Sequence, residues 1–399
     1  MKGHINQRQA LRGSRLNRAV KVDAWLLIPA LLLVASGLVM VGSSSIAIAE
    51  SHGVATYYYL LRHLIYVILG LMLASVFRSI PVAVLERISR PLMWLSALLL
   101  LLVFIPGIGR SVNGSARWIT LGFANFQVVE AVKIMVIIYM AGYLARKADM
   151  VRIRFFDTLK PLLLAAMLTA ILLIQPDMGS AAVITAIVGG MVWLAGAAWR
   201  HILVLGMAAL PVFGFAAMEP YRLRRIVSFM NPWADPYDSG FQLTQALIAV
   251  GRGEIFGVGL GASIQKLFYL PEAHTDFIFA VLAEEFGLLG VIFILSLFML
   301  LVARIMIIGL MAHRRERPFA GHVAYGIGLW IGLQALVSMG VNLGVLPTKG
   351  LTLPMISSGG SSVLMTFIAL GIVFRIRYEL DRDAPLSITR TPNMAGVHR

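Results

Sequence analysis

Ten apolar runs, each near the length that crosses a bilayer, leave this chain few ways to fold. A helix needs about 20 apolar residues to traverse roughly 30 Å of hydrocarbon. The runs fall at 24–41, 60–77, 91–105, 128–144, 159–174, 180–195, 202–218, 277–302, 323–341 and 353–374. They are too long for strands and lack period-two alternation. Only 13% of the 399 residues are charged, against about a quarter in soluble domains. The expected fold is all-α: a polytopic integral membrane protein with about ten transmembrane helices over 24–378. One large exterior loop, 219–276, interrupts them, and polar tails at 1–23 and 379–399 flank them.

Charge placement orients the spans. The chain carries a net charge of +15, which by itself is compatible with nucleic-acid binding. Most of the Lys and Arg, however, fall in the N-terminal tail, the C-terminal tail and the connections near Arg78, Arg152, Arg200 and Arg314. The 219–276 loop is nearly balanced, with 5 basic and 6 acidic residues. That asymmetry is the positive-inside pattern, with both termini cytoplasmic and no nucleic-acid partner. The first apolar run exceeds a signal-peptide core and reads as a retained span. The chain has no cysteine, which excludes disulfides, thiol catalysis and cysteine-based metal sites.

Ionisable residues at membrane depth mark the chemistry. Asp276 ends the 219–276 loop immediately before an apolar run. It reads either as a general base or metal ligand, or as a helix-start acid behind a Thr275 cap. Glu130 and Lys133 stand three residues apart, so they share a helix face. Each alone costs roughly 2.5–3.5 kcal/mol near the bilayer centre. They form either a structural ion pair or a pair whose lysine faces a phosphate-binding cavity. Glu284 and Glu285 are adjacent, about 100° apart on a helix, and one of them is expected to meet a polar neighbour from another span. In 346–362 two prolines and Gly359-Gly360 break the helix. Amides around Gly359, Gly360 and Ser361, with Lys349 nearby, could bind an anion, or the small residues could serve close packing. The glycines at 251, 253, 257, 259 and 261 imitate a nucleotide fingerprint without the strand that motif requires.

Three stretches together resemble the SEDS family (shape, elongation, division and sporulation). They are Tyr269 to Ala280 followed by Glu284-Glu285-Phe286-Gly287, Asn342 to Pro354 with Gly359-Gly360-Ser361-Ser362, and Asn113-Gly114 with Arg117-Trp118. Pro347-Thr348-Lys349-Gly350 and Pro271-Glu272-Ala273-His274 are similar to the cell-division branch. Two stretches depart from the family pattern: Val128-Val129 where Pro-Ser is usual, and Ser358 where Tyr is usual. The resemblance implies a peptidoglycan glycosyltransferase that polymerises lipid II at the outer face of the bacterial cytoplasmic (inner) membrane, at the division septum. It implies Asp276 as the catalytic residue, and Lys133, Glu130, Lys349, Ser361 and Arg117 as substrate-binding residues. A divalent cation, Mg or Mn, would share the diphosphate. Expected partners are lipid II, a polyprenyl diphosphate-linked glycan, a class B penicillin-binding transpeptidase and other divisome membrane proteins. Two rival readings are a lipid II flippase and a non-catalytic divisome scaffold.

Overall fold

The structure, a computed structural model, describes residues 22–383 apart from 113, 114, 121, 123, 124 and 349. Each of the ten apolar runs contains a helix. In chain order they are α1 (Ala24–Ser51), α2 (Tyr58–Ser79), α3 (Val82–Leu102), α4 (Val128–Ile153), α5 (Phe155–Ile174), α6 (Met178–Leu194) and α7 (Trp199–Ala217). After two loop helices, α8 (Pro220–Met230) and α9 (Phe241–Gly253), come α10 (Ile278–Arg314), α11 (Pro318–Asn342) and α12 (Gly360–Arg382). Among the described residues, six helices are individually long and apolar enough to cross a membrane: α1, α2, α4, α5, α10 and α11. The chain is thus a multi-pass membrane protein.

Burial sorts the helices. The apolar window of α4 is 72% buried and that of α2 only 17%. The helix α4 sits at the centre, packed on α3, α5, α6 and α11, whereas α2 lies outside against α12 and α1. Residues pointing outward from α2, such as Leu61, Ile65, Ile68 and Met72, are exposed hydrophobics, which is the surface a lipid tail covers. Away from the loops, Asp23 bonds Arg304 of α10 at 2.6 Å and lies 3.1 Å from Arg377 of α12. One carboxylate thereby ties three helices at one end of the bundle.

The other end carries the long connections. Between α3 and α4 the chain forms a three-stranded antiparallel sheet in the order β1 (Gly109–Val112), β2 (Ser115–Thr120), β3 (Asn125–Gln127). The 219–276 connection is largely structured. Its α9 packs on α10, and the segment after it is spliced into a break in α10. At that break Gly287 has φ 64°, ψ −161°, a conformation essentially restricted to glycine. The amides of Leu288 and Leu289 donate to Glu254 O and Ile255 O, and the amides of Val258 and Gly259 donate to Glu284 O and Glu285 O. A Cβ on Gly253 or Gly257 would meet α10 carbonyl oxygens at 2.0 and 2.2 Å. Gly253 and Gly257 therefore permit close backbone approach, which accounts for two of the five glycines that imitate a nucleotide fingerprint.

Glu284 and Glu285 anchor the splice from below. Glu284 accepts from Arg252 at 2.9 Å, from Ser263 Oγ at 2.5 Å and from the Ile264 amide at 3.1 Å. Glu285 accepts from Lys266 at 2.7 Å and from Ser43 of α1 at 2.7 Å. Both side chains are buried, and each points to its own cationic partner, as their angular separation requires.

Candidate active site

A cavity of about 340 Å³ opens at the loop end of the bundle. It gathers Arg117 from β2, Asp177 at the start of α6, Arg225 from α8, Asp276 from the turn into α10, and Ser361 from α12. All of its lining comes from helix ends and connections on one side. Residues hundreds of positions apart converge because alternate connections of a serpentine helix bundle share one end.

Asp276 lies just ahead of α10, whose N-cap is Phe277. Thr275 does not cap the helix; its hydroxyl donates to Glu272 Oε2 at 2.6 Å. The helix-start reading of Asp276 therefore gives way to a side chain in the cavity. The turn is held by backbone stitching rather than through the carboxylate. Asn342, at the end of α11, donates to Asp276 O at 2.9 Å, and its Oδ1 accepts from the Ala280 amide at 3.0 Å. Ser357 Oγ donates to Thr275 O at 2.7 Å and accepts from the Leu353 amide at 2.8 Å. The Ser358 amide reaches His274 O at 3.1 Å. Glu272 and Met355, on the two stitched loops, have φ of 57° and 65°, a strained choice for residues other than glycine.

The Asp276 carboxylate is half-buried and accepts no hydrogen bond from a described residue. A Cβ on Gly350 would lie 3.1 Å from its Oδ2; glycine there leaves the carboxylate uncrowded. Burial and, secondarily, the nearby Glu272 charge raise its pKa from 3.8 to about 7, with Arg117 and Arg225 pulling the other way. Desolvation thus outweighs two guanidinium groups, which suits a proton acceptor working near neutrality.

Arg117 is fixed by a 2.7 Å bond from Nη2 to Pro176 O and lies 3.7 Å from Asp177. Asp177 in turn caps α6 through Ser180 N and Oγ. Ser361 lines the cavity, and its Oγ accepts from the Gln127 amide at 2.9 Å, stitching α12 to the start of α4. The helix α4 begins at Val128 with Gln127 as N-cap, so the absent proline does not displace its start. Lys349, Asn113 and Gly114 lie outside the described residues.

Glu130 and Lys133 require a correction. Lys133 is 1% exposed and does not line the cavity. Its ammonium bonds Glu130 at 2.8 Å and Gln334 Oε1 at 2.6 Å, and sits 5.0 Å from the Trp330 ring centroid. Burial makes that closure obligatory, because an unpaired ammonium at this depth is too costly. A direct grip on phosphate is not what this geometry provides. The pair reaches the cavity indirectly: Gln334 Nε2 donates at 2.9 Å to the carbonyl of Thr352, a lining residue.

Sequence reasoning missed Asn342, Ser357, Gln334 and Arg225 as site residues. For the first three the signal was a polar side chain inside an apolar or helix-breaking stretch, and in the fold these three are buried and bonded; Arg225 is one of three arginines in α8 and had no such signal. Among the described residues no three His, Asp or Glu side chains converge as a metal-ligand set. A divalent cation would rest in the cavity on one or two of the lining carboxylates together with the substrate's diphosphate oxygens.

A family profile described as "Cell cycle protein" (FtsW/RodA/SpoVE) matches residues 23–382. The probable peptidoglycan glycosyltransferase FtsW of Coxiella burnetii is 50% identical over 360 residues, covering 90% of this chain and 97% of that protein. Its namesake from Legionella pneumophila is 44% identical over 378 residues, covering 94% and 95%. Among solved structures, a chain from a peptidoglycan synthase complex that coordinates polymerization and crosslinking aligns with a TM-score of 0.74 at 32% identity, covering 90% of this chain and 99% of that one. The crystal structure of Thermus thermophilus RodA, a rod shape determining protein, aligns with a TM-score of 0.67 at 30% identity, covering 92% and 99%.

Proposed function

Because this chain belongs to the FtsW/RodA/SpoVE family, the SEDS proteins, we propose that its cavity polymerises lipid II into glycan strands and releases polyprenyl diphosphate. The chain is a peptidoglycan glycosyltransferase. The acceptor sugar hydroxyl of lipid II attacks the anomeric carbon of a glycan held on polyprenyl diphosphate. The new bond joins that carbon to the acceptor oxygen. The bond from the same carbon to the diphosphate oxygen breaks, and its electron pair leaves with the diphosphate. Asp276 takes the hydroxyl proton. Arg117 and Ser361 bind and orient substrate, as does Lys349. Glu130 and Lys133 support the Thr352 wall from behind. A divalent cation entering with the diphosphate would add charge neutralisation.

The observation that carries this reading is a carboxylate that no described residue pairs, poised near neutrality, in a polar cavity at the loop end of the bundle. Confinement of both substrates to one leaflet supplies orientation. A transporter would need a path through the bundle. This cavity draws its lining from one end alone, and beneath it the Lys133–Glu130–Gln334 cluster is closed. That arrangement favours the enzyme over the flippase.

The test is a glycan-length assay on the purified chain. Wild type is expected to elongate lipid II in detergent with no transbilayer gradient, and Asp276→Ala to make no glycan while its thermal midpoint does not fall below that of wild type. Long glycan from the variant would remove Asp276 from catalysis; no glycan from wild type, alone or with its partner, would favour a scaffold. By extension we place the chain in the inner membrane at the division septum, with both termini cytoplasmic. Its proposed partner there is a class B penicillin-binding transpeptidase, among other divisome membrane proteins. Co-purification with that transpeptidase, and protease protection of a terminal tag in sealed spheroplasts, test these placements.

A further inference from the structure

The first turn of α12 ends in the cavity without a cap. Gly359 is its N-cap and contributes no side chain. The first amide to bond within the helix is that of Val363, to Gly359 O at 2.9 Å. The amides of Gly360, Ser361 and Ser362 therefore lack an intrahelical acceptor, and no described residue caps them. The helix is 23 residues long, so its positive end amounts to roughly half a unit charge. Gly359, Ser361 and Ser362 all line the cavity.

A second observation is independent of the helix end. Ser362 is 4% exposed, and its Oγ is buried with no hydrogen-bond partner. Its neighbour Ser361 has one, the Gln127 amide. An orphaned buried hydroxyl costs roughly 1–3 kcal/mol, a debt that a ligand oxygen would cancel. Cations lie on the same lining: Arg117 on β2, and Arg225 on α8, whose Nη1 reaches Thr348 O at 3.4 Å. Of the lining carboxylates, Asp177 caps α6 and lies 3.7 Å from Arg117, Glu272 accepts from Thr275, and Asp276 is the base.

We propose that the uncapped first turn of α12, together with the Ser362 hydroxyl, is an anion subsite that holds the diphosphate of a polyprenyl diphosphate substrate, with Arg117 and Arg225 on the facing wall. Half a charge from one helix end cannot balance a diphosphate diester, which carries about two negative charges. Arg225 and Arg117, the latter shared with Asp177 at 3.7 Å, add positive charge on the same lining. The diphosphate subsite deepens the glycosyltransferase reading and rests on it. It also separates labour in the cavity, with anion binding at α12 and proton transfer at Asp276.

The experiment uses the full chain in nanodiscs and two readouts. Binding of polyprenyl diphosphate is followed by ligand-induced thermal shift, which needs no turnover; polyprenyl monophosphate and inorganic pyrophosphate serve as comparisons. Glycan formation is followed separately. Wild type is expected to bind the diphosphate more tightly than the monophosphate. Ser362→Ala should weaken diphosphate binding about tenfold or more, the loss of one hydrogen bond to a charged group, with an unchanged midpoint in the absence of ligand. Ser362→Asp should weaken it further. An acid at the third helical position gains from the helix end but is buried there, so the variant's ligand-free midpoint is measured alongside and binding is compared well below it. If Ser362→Asp does not fold, Ser362→Ala decides.

Kinetics then assign the source. A raised KM for lipid II in Ser362→Ala places the acceptor's diphosphate in the subsite; a lowered kcat at saturating lipid II places the donor's leaving group there. Wild-type diphosphate binding in both variants overturns the subsite. Tight, Ser362-dependent binding without glycan synthesis would instead overturn the enzyme reading and leave the subsite standing.

Discussion

At Asp276 reactivity and stability pull apart. Its carboxyl is raised from 3.8 to about 7, chiefly by burial and then by Glu272. A folded pKa above the unfolded one means the native state holds an extra proton between those values. Stability from this group therefore falls as pH climbs from about 4 to about 7, and stays lost above. Asp276→Asn removes that liability. Its thermal midpoint should exceed wild type at about pH 8 and approach it at about pH 5, while polymerisation falls at least about a hundredfold. A midpoint advantage independent of pH would show that the buried charge is not the cause. The wild-type rate should rise with pH through about 7 as the base ionises. Glu272→Gln removes the like charge and should move that inflection lower; an inflection that stays in place would assign it to another group. At Lys133 the issue is a counter-charge. Lys133→Met leaves Glu130 buried and uncompensated, at a cost of about 3–5 kcal/mol. Adding Glu130→Gln should recover most of the lost midpoint in a thermal melt, and no recovery would mean that the ammonium's bond to Gln334 carries the stability instead. Asp276 was legible because an acid between a polar loop and a span is costly. Ser357 and Asn342 were not, since their partners are backbone atoms of a loop distant in sequence.

At the scale of elements, each of the ten apolar runs yielded a helix, because length and hydrophobicity are local properties. Ends were less legible: α10 continues to Arg314, well beyond 302, and α12 starts only at Gly360. At its start the backbone is committed elsewhere, as Leu353 and Ser357 form a turn closed by the Ser357 hydroxyl. The sheet in 109–127 had no hydrophobic periodicity to announce it. The break in α10 was masked as well, since Gly287 sits inside an unbroken apolar run, and only its splice partners reveal the need for φ 64°. Gly287→Ala brings a Cβ to 2.4 Å from Gly257 N and 2.6 Å from Ile255 O, both backbone atoms. Relief requires expelling the 253–259 segment from the break. Such strain, worth about 1–3 kcal/mol before the clash is counted, should leave the spans folded and free that segment. Limited proteolysis should then cut Gly287→Ala within 253–266 faster than wild type, with reduced glycan synthesis. Equal cleavage rates would mean that the splice tolerates a side chain.

For the whole molecule, the candidate site is built where three connections, over 106–127, 219–276 and 343–359, line one cavity at one end of the bundle. Each was recognisable as unusual, yet nothing local in the sequence shows that Arg117, Asp276 and Ser361 share one cavity. That follows from the even number of crossings between them and from packing about α4 and α11. The same topology predicts a division between the two ends. Asp23 joins α1 to Arg304 of α10 and Arg377 of α12 at the end away from the cavity. Its side chain is 2% exposed, while both arginines retain partial exposure. Asp23→Ala should therefore lose charge-assisted bonds worth about 1.5–3 kcal/mol without stranding a fully buried cation. The cavity is held by its own stitching through Asn342, Ser357 and Gln127, none of which touches Asp23. Asp23→Ala should lower the thermal midpoint by several degrees, yet leave KM and kcat for lipid II within about twofold of wild type when assayed well below that midpoint. A large fall in kcat under those conditions would show that the two ends move as one, and that this carboxylate sets the geometry of the cavity across the thickness of the bundle.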